Sequence, residues 1–146
     1  MEDNLDFYIG TFHPILVHFP IVLFTLTLIC DLFYGIGETN AFSAGHWMLF
    51  GGTLMCIPTI ATGWEASQSF PPDDPTVHKH MLMAFTTASY AVLYSCFRLA
   101  TIFKKWEMMP LIFVTLSVIL VLLTSWTADY GGLLSHGVTP FGEIKS

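Results

Sequence analysis

The chain has 146 residues, of which 53% are hydrophobic and only 11% are charged, and its mean hydropathy is +0.63. A soluble domain carries about 25% charged residues, so this composition excludes a water-facing globular surface and predicts an integral membrane protein. The net charge of -6 excludes nucleic acid as a partner, because phosphate binding needs clustered Lys and Arg.

The N-terminal residues and the cysteines exclude two further classes. Residues 1–6 are acidic, whereas a secretory signal begins with a basic region, so no signal peptide is expected. Cys30, Cys56 and Cys96 are isolated within apolar segments. The absence of any CxxC or CxxCH motif excludes covalent c-type haem attachment and cysteine-based zinc sites.

Four apolar segments are long enough to cross a bilayer, which takes about 20 residues. They cover residues 12–34, 44–64, 78–103 and 108–130. The connections between them are short, so no separate soluble domain is expected. The sequence therefore predicts an all-α fold, a single four-helix transmembrane bundle over residues 1–146.

The distribution of charge predicts the orientation of the bundle. Arg98, Lys104 and Lys105 lie at the connection between the third and fourth segments, whereas most acidic residues lie on the other side. Positive loops stay in the cytoplasm. We therefore expect a multi-pass protein of the bacterial inner membrane with both termini outside.

The second and fourth segments end in similar patterns, which indicates an internal repeat. Both contain T-x-W-x-A, beginning at Thr62 in the second segment and at Thr124 in the fourth. The first and third segments each begin with a pair of histidines and carry one cysteine, at Cys30 and Cys96. Two parallel repeated hairpins would explain this pattern. The alternative is that Trp recurs at membrane interfaces.

Five of the six histidines fall on the outer side under this topology, and one, His46, falls on the inner side. The outer histidines are His13, His18, His78, His80 and His136. Ionisable side chains at membrane depth are functional candidates, because they cost free energy there.

Helical spacing divides these histidines into two sets. His13 and His18 lie about 140° apart around a helix, so they cannot share a face. The face of His18 continues to Thr25, and the face of His80 continues to Thr87. We therefore expect His18 and His80 to face a common interior, with His13 at the rim beside His136.

Two chemistries suit such a site. Histidines on facing membrane helices can ligate haem iron from both sides, which predicts a haem b site with His18 and His80 as axial ligands and Thr25 and Thr87 beside them. One feature opposes haem: Lys79 is the only outer cation near these helix ends, although haem propionates often pair with cations.

Alternatively, histidines and carboxylates could bind a Zn, Cu or Fe ion. The metal candidates are His18, His80, His13 and His136, with His78, Glu65 and Asp129 as secondary candidates. The third alternative is that the histidines only cap helices and reach to the interface.

Three motifs carry a resemblance to a known family. The segment beginning at His13 is a full match to His-Pro-x-x-Val-His-Phe-Pro-Ile. A histidine that opens the third helix fits His80, and Gly-Gly-x-Leu-x-x-x-His-Gly-Val fits the end of the chain with a shortened spacing. The matched residues of the first motif are His13, Pro14, Val17, His18, Phe19, Pro20 and Ile21, and those of the last are Gly131, Gly132, Leu133 or Leu134, His136, Gly137 and Val138.

On these motifs the chain resembles a family of four-helix bacterial membrane proteins catalogued only as a domain of unknown function. The sequence departs from that pattern at two points: a Tyr common before the last His is Leu134 or Ser135, and the third helix has the extra His78. Some relatives look fused to c-type cytochrome modules, so the resemblance implies a redox setting.

The favoured function is therefore a membrane redox subunit that binds a b-type haem for electron transfer, rather than an enzyme acting alone. Its expected partners are the lipid bilayer and either other subunits of a membrane complex or a basic electron carrier on the acidic outer face. A transition-metal-binding or transport protein is the alternative. A structural subunit without a cofactor is the third.

Overall fold

The computed structural model describes residues 10–104 and 110–136, without the side chains of Lys104 and His136. A short helix, α1, precedes four long helices, and no strand occurs in these ranges. The predicted all-α fold is confirmed. The helices are α1 (His13–Leu16), α2 (His18–Gly35), α3 (Thr39–Ser67), α4 (Pro75–Lys104) and α5 (Pro110–His136).

The sequence explains where α4 begins. The carboxylate of Asp74 accepts the backbone N–H of Thr76 at 2.8 Å and that of Val77 at 3.3 Å, and it caps the helix. Pro75 takes the first helical position, where its missing N–H costs nothing. Pro110 opens α5 in the same way. Gly37, with φ of 105°, provides the left-handed turn between α2 and α3.

Pro20 explains how α1 is attached to the bundle. Because proline has no N–H, the Leu16 carbonyl four residues earlier receives no helical hydrogen bond from it. The Thr59 hydroxyl in α3 lies 3.4 Å from that carbonyl and is shared with the Met55 carbonyl at 2.7 Å. The Leu16 carbonyl at the end of α1 is thus free to accept a hydrogen bond from α3, which connects α1 to the bundle.

The four long helices form a closed ring. The pairs in contact are α2 with α3, α3 with α4, α4 with α5, and α5 with α2. Within the described part of the chain, α2 and α4 therefore face each other only across the bundle axis. Gly52 allows the closest pair to approach, because a Cβ there would lie 2.6 Å from the Phe24 ring.

The outer surface of the bundle is apolar, as contact with lipid requires. Two helical stretches, His13–Gly35 and Pro110–Ser135, are long and apolar enough to span a membrane, with mean hydropathies of 2.2 and 2.3. The other two long helices also expose large apolar side chains. On α3 and α4 these include Trp47, Leu54, Ile57, Trp64, Leu82, Phe85, Val92, Leu93, Leu99, Ile102 and Phe103.

A fully buried ion pair crosses the bundle axis away from His13 and His80. Arg98 Nη2 lies 2.7 Å from Asp31 Oδ1, Arg98 Nη1 donates to Asp31 Oδ2 at 3.0 Å, and both side chains are 0% exposed. The hydroxyls of Tyr94 and Ser117 also donate to Oδ2. Gly45 leaves room for the guanidinium, since a Cβ there would lie 2.6 Å from Nη2.

Aromatic rings complete the surroundings of the guanidinium, whose Cζ lies 5.0 Å from the Phe42 ring centroid and 5.1 Å from that of Phe113. The prediction that counted Arg98 as a charge of the inner loop is therefore wrong. Asp31 neutralises it inside the bundle, so it contributes nothing to the positive charge of that loop.

Removal of one member of this pair is expected to destabilise the bundle strongly. Asp31→Ala leaves the guanidinium buried and unpaired, which typically lowers the free energy of unfolding by about 3–5 kcal/mol. The double variant Asp31→Leu with Arg98→Met is expected to recover most of that loss. Thermal unfolding in detergent measures both, with Lys79→Ala, an exposed charge, as the control. Equal stability of Asp31→Ala and the control would contradict the role assigned to the pair.

Candidate functional site

His13 lies at the end of the bundle where α3 ends and α4 begins, here called the histidine end. Its Nδ1 is 3.0 Å from the carbonyl oxygen of Thr59 and 3.4 Å from the hydroxyl of Thr62, both on α3. Gly63 makes room for the ring, because a Cβ there would lie 2.8 Å from His13 Cε1. One turn of α3 thus provides both an acceptor and a space for the imidazole.

His80 on α4 has the same surroundings on α5. Its Nδ1 is 3.0 Å from the carbonyl oxygen of Thr127. A Cβ on Gly131, one helical turn further along, would lie 3.2 Å from His80 Cε1. In both cases the ring rests against a threonine carbonyl and a glycine one turn later, on α3 for His13 and on α5 for His80.

This correspondence defines the register of the repeat. Asp31 and Arg98 are separated by 67 positions in the sequence, and His13 and His80 have the same separation. The two threonines whose carbonyls accept from the histidines are separated by nearly the same distance along the chain. His18 and His80, the pair predicted from helical spacing, are separated by fewer positions in the sequence than the two pairs that meet in the structure.

The hydrogen bonds fix the tautomer of both rings. A carbonyl oxygen can only accept, so Nδ1 of His13 and of His80 carries the proton and donates it. In the neutral imidazole Nε2 then has a free lone pair, as in metal-ligating histidines whose other nitrogen donates to a backbone carbonyl. The two ring centroids are 6.2 Å apart, and the ring planes are nearly perpendicular at 80°.

A cavity of about 510 Å³ surrounds these two rings. It extends from Phe70 near the end of the bundle to Phe24 and Cys56 in its middle. No Lys, Arg, Asp or Glu lines it in the described part of the chain, and its polar groups are histidines, threonine and serine hydroxyls and one thiol. Such an apolar site with a few polar groups is typical of ligand and cofactor pockets.

The structure groups the predicted residues differently from their helical spacing. His18 lines the cavity but is exposed, and its Nδ1 donates to the Pro14 carbonyl at 2.7 Å. Thr25 is exposed and donates to the carbonyl four residues earlier, so the prediction that it faces the interior is wrong. Thr87 lies inside, 2.9 Å from the Thr127 hydroxyl.

His13 shows the largest difference. It was expected to point away from the common interior, and instead it faces His80. The first and third predicted helices were also expected to be neighbours. They lie diagonally, and side chains from both reach the axis, so contact between their backbones is unnecessary.

The secondary metal candidates lie apart from the histidine pair. His78 is exposed, with Nε2 3.0 Å from the Pro72 carbonyl, and Glu65 accepts a hydrogen bond from Gln68. Asp129 has one buried oxygen without a hydrogen-bond partner but does not line the cavity. The side chain of His136 lies outside the described residues, as do Gly137 and Val138. Within residues 10–104 and 110–136, no three His, Cys, Asp or Glu side chains come together as a metal site.

The sequence reasoning missed the buried ion pair and the two threonine carbonyls. One pattern in the sequence could have indicated the ion pair and the histidine pair. Asp31 and Arg98, like His13 and His80, recur at one common offset, and a search for equal spacing among ionisable residues would have indicated both diagonal pairs.

A substitution that crowds the His13 ring tests this geometry. Ala in place of Gly in a helix interior gains up to about 1 kcal/mol of stability, and Gly51→Ala should show such a gain because its nearest neighbour would be at 3.6 Å. Gly63→Ala pushes against the ring, so we expect it to be about 1–3 kcal/mol less stable than Gly51→Ala.

Adding His13→Ala to Gly63→Ala should remove the clash and recover the difference in the midpoint of thermal unfolding in detergent. If the double variant is less stable than Gly63→Ala alone, the ring does not lie against Gly63.

Comparisons with known proteins give one match. The model of a family described as "Predicted membrane protein (DUF2231)" matches residues 10–139. No curated protein and no solved structure matches the chain. The matched range includes the whole cavity and both diagonal pairs, and the chain belongs to this family of predicted membrane proteins.

Proposed function

We propose that this protein crosses the bacterial inner membrane four times, binds one b-type haem between His13 and His80, and serves as an electron-transfer subunit. One observation carries the proposal. Two imidazoles from diagonal helices meet in an apolar cavity, and a backbone carbonyl holds each with Nε2 unprotonated.

The faces of α3 and α4 support four spans. These helices have 29 and 30 residues, enough for a bilayer about 30 Å thick at 1.5 Å per residue. Their mean hydropathy is lowered by residues that point inward, such as Arg98, Thr62 and Thr87, which are buried. Their outward faces are apolar, and the outward face is the one that lipid meets.

The spacing of the two rings suits a metal centre between them. An ion held linearly between two imidazole nitrogens at about 2.0 Å separates the ring centroids by about 6 Å. The distance from His13 to His80 is 6.2 Å. A bound haem would supply one-electron chemistry, and these residues would hold its iron and exclude other axial ligands.

The size of the cavity also suits the porphyrin ring of a haem. Its volume of about 510 Å³ is within the range of about 300–1,000 Å³ for cofactor pockets. Since no cation lines it in the described ranges, the propionates would lie at the open end, where Ser67 and Ser135 provide hydroxyls and water has access.

The charges near the histidine end indicate a partner. Glu65 lies in the last turn of α3, and Asp73 and Asp74 directly precede α4 at that end, against Lys79. A basic electron carrier would be attracted to this surface, and the proposed orientation places it outside the cytoplasm. Other subunits of a membrane complex remain the alternative partner.

Haem titration of the purified protein tests the proposal. The wild type is expected to bind one haem with the six-coordinate, low-spin spectrum of two axial imidazoles. His13→Ala and His80→Ala should each lose this spectrum, because only one axial imidazole is left. His18→Ala and the exposed His78→Ala are matched controls and should keep it.

Two results would contradict the proposal. If His18→Ala abolishes the low-spin spectrum while His13→Ala keeps it, the pair derived from helical spacing is correct. If haem does not bind and elemental analysis of the purified protein finds stoichiometric Zn, Cu or Fe, the cavity holds a metal ion instead.

A further inference from the structure

A second cavity lies at the end of the bundle opposite the histidine end. It has a volume of about 620 Å³ and lies between the start of α3 and the end of α4. Its lining is mostly aromatic and aliphatic. The large side chains around it are Phe42, His46, Trp47, Phe50, Leu99 and Ile102.

Three polar residues line this cavity, Ser43, His46 and Thr101, and of these the Thr101 hydroxyl donates to the Arg98 carbonyl. The side chain of His46 is 7% exposed, and its Nδ1 lies 2.5 Å from the Phe42 carbonyl oxygen. Because that oxygen only accepts, Nδ1 carries the proton. His46 Nε2 is then a buried acceptor, and it has no hydrogen-bond partner in the described part of the chain.

An unpaired buried acceptor costs free energy, which a ligand that donates a hydrogen bond can recover. A metal ion fits poorly, because no cluster of three His, Cys, Asp or Glu side chains occurs among the described residues. A hydroxyl on an apolar molecule fits the acceptor and the lining together.

We infer that this cavity binds a hydroquinone-type lipid, with a ring hydroxyl donating to His46 Nε2. The Phe42 ring stands edge-on to the imidazole with centroids 4.5 Å apart, and the Phe50 ring centroid is 6.1 Å from it. These rings would flank an aromatic head group. Trp47, Leu99 and Ile102 are exposed on the lipid-facing side and would contact an apolar tail.

The fixed tautomer predicts a preference between redox forms. A hydroquinone donates through its hydroxyls, whereas the oxidised quinone has carbonyl oxygens that only accept. His46 Nε2 therefore discriminates against the quinone, in the way that a buried hydrogen-bonding site rejects an analogue lacking its partner. Nε2 is covered in the ligand-free protein, so binding requires the atoms over it to move aside.

The inference does not depend on the haem proposal, because the cavity lies at the other end of the bundle. Binding can be measured by isothermal titration in detergent under anaerobic conditions. The probes are a decyl-substituted benzohydroquinone, its dimethyl ether and the corresponding quinone. The dimethyl ether is the more direct comparison, because it lacks the donor and cannot react with the free thiols of Cys30, Cys56 and Cys96.

We expect wild-type protein to bind the hydroquinone about tenfold more tightly than its dimethyl ether, the value of one buried hydrogen bond. His46→Ala should bind both compounds equally and at the weaker affinity. His78→Ala, which changes an exposed histidine at the opposite end, and His13→Ala should keep the preference.

Two outcomes would overturn the inference. Equal binding of the three probes by the wild type would show that no group of the cavity accepts a hydrogen bond from the hydroquinone hydroxyl. This comparison needs no variant. Loss of binding in His13→Ala with retention in His46→Ala would place the ligand in the other cavity. The first result does not bear on whether haem binds at the histidine end, which the haem titration tests separately.

Discussion

The Asp31 carboxylate and the Arg98 guanidinium meet across the bundle axis, from helices whose backbones do not contact each other. An isolated charge is unstable when it is fully buried, so each member of the pair requires the other, and the hydroxyls of Tyr94 and Ser117 satisfy Oδ2. The pair therefore fixes the rotation of α2 against α4. That rotation also turns His80 on α4 toward the axis at the other end, where it meets His13 of α1, a helix held against α3.

The two diagonal pairs are related by one offset in sequence, and this relation organises the molecule. One histidine in each half of the chain rests on a threonine carbonyl and a glycine, of α3 for His13 and of α5 for His80. The ion pair has the same offset but opposite charges at its two positions, so the two halves of the chain correspond in sequence position and differ in chemistry. The apolar core of Phe24, Leu49, Tyr94 and Phe113 separates the two ends.

Composition and apolar periodicity were sufficient to predict the helices, because lipid contact requires long apolar segments whatever their details. They were insufficient for the site, because the rotation of each helix depends on tertiary contacts. His18 was preferred over His13 because its helical face continues to Thr25, as that of His80 continues to Thr87. The buried ion pair sets the rotation instead, and Asp31 was hidden within an apolar run. His80 and Thr87 could be predicted, since their shared face does point inward.

The central claim is that His13 and His80 hold one haem at the bundle axis with their ring planes nearly perpendicular, as they stand at 80° in the ligand-free protein. Electron paramagnetic resonance of the oxidised, haem-loaded protein tests it most directly. Perpendicular axial imidazoles are expected to give a highly anisotropic low-spin ferric signal, which His13→Ala and His80→Ala should each convert to a high-spin one. A high-spin signal in the wild type, or an unchanged low-spin signal in both variants, would contradict the account.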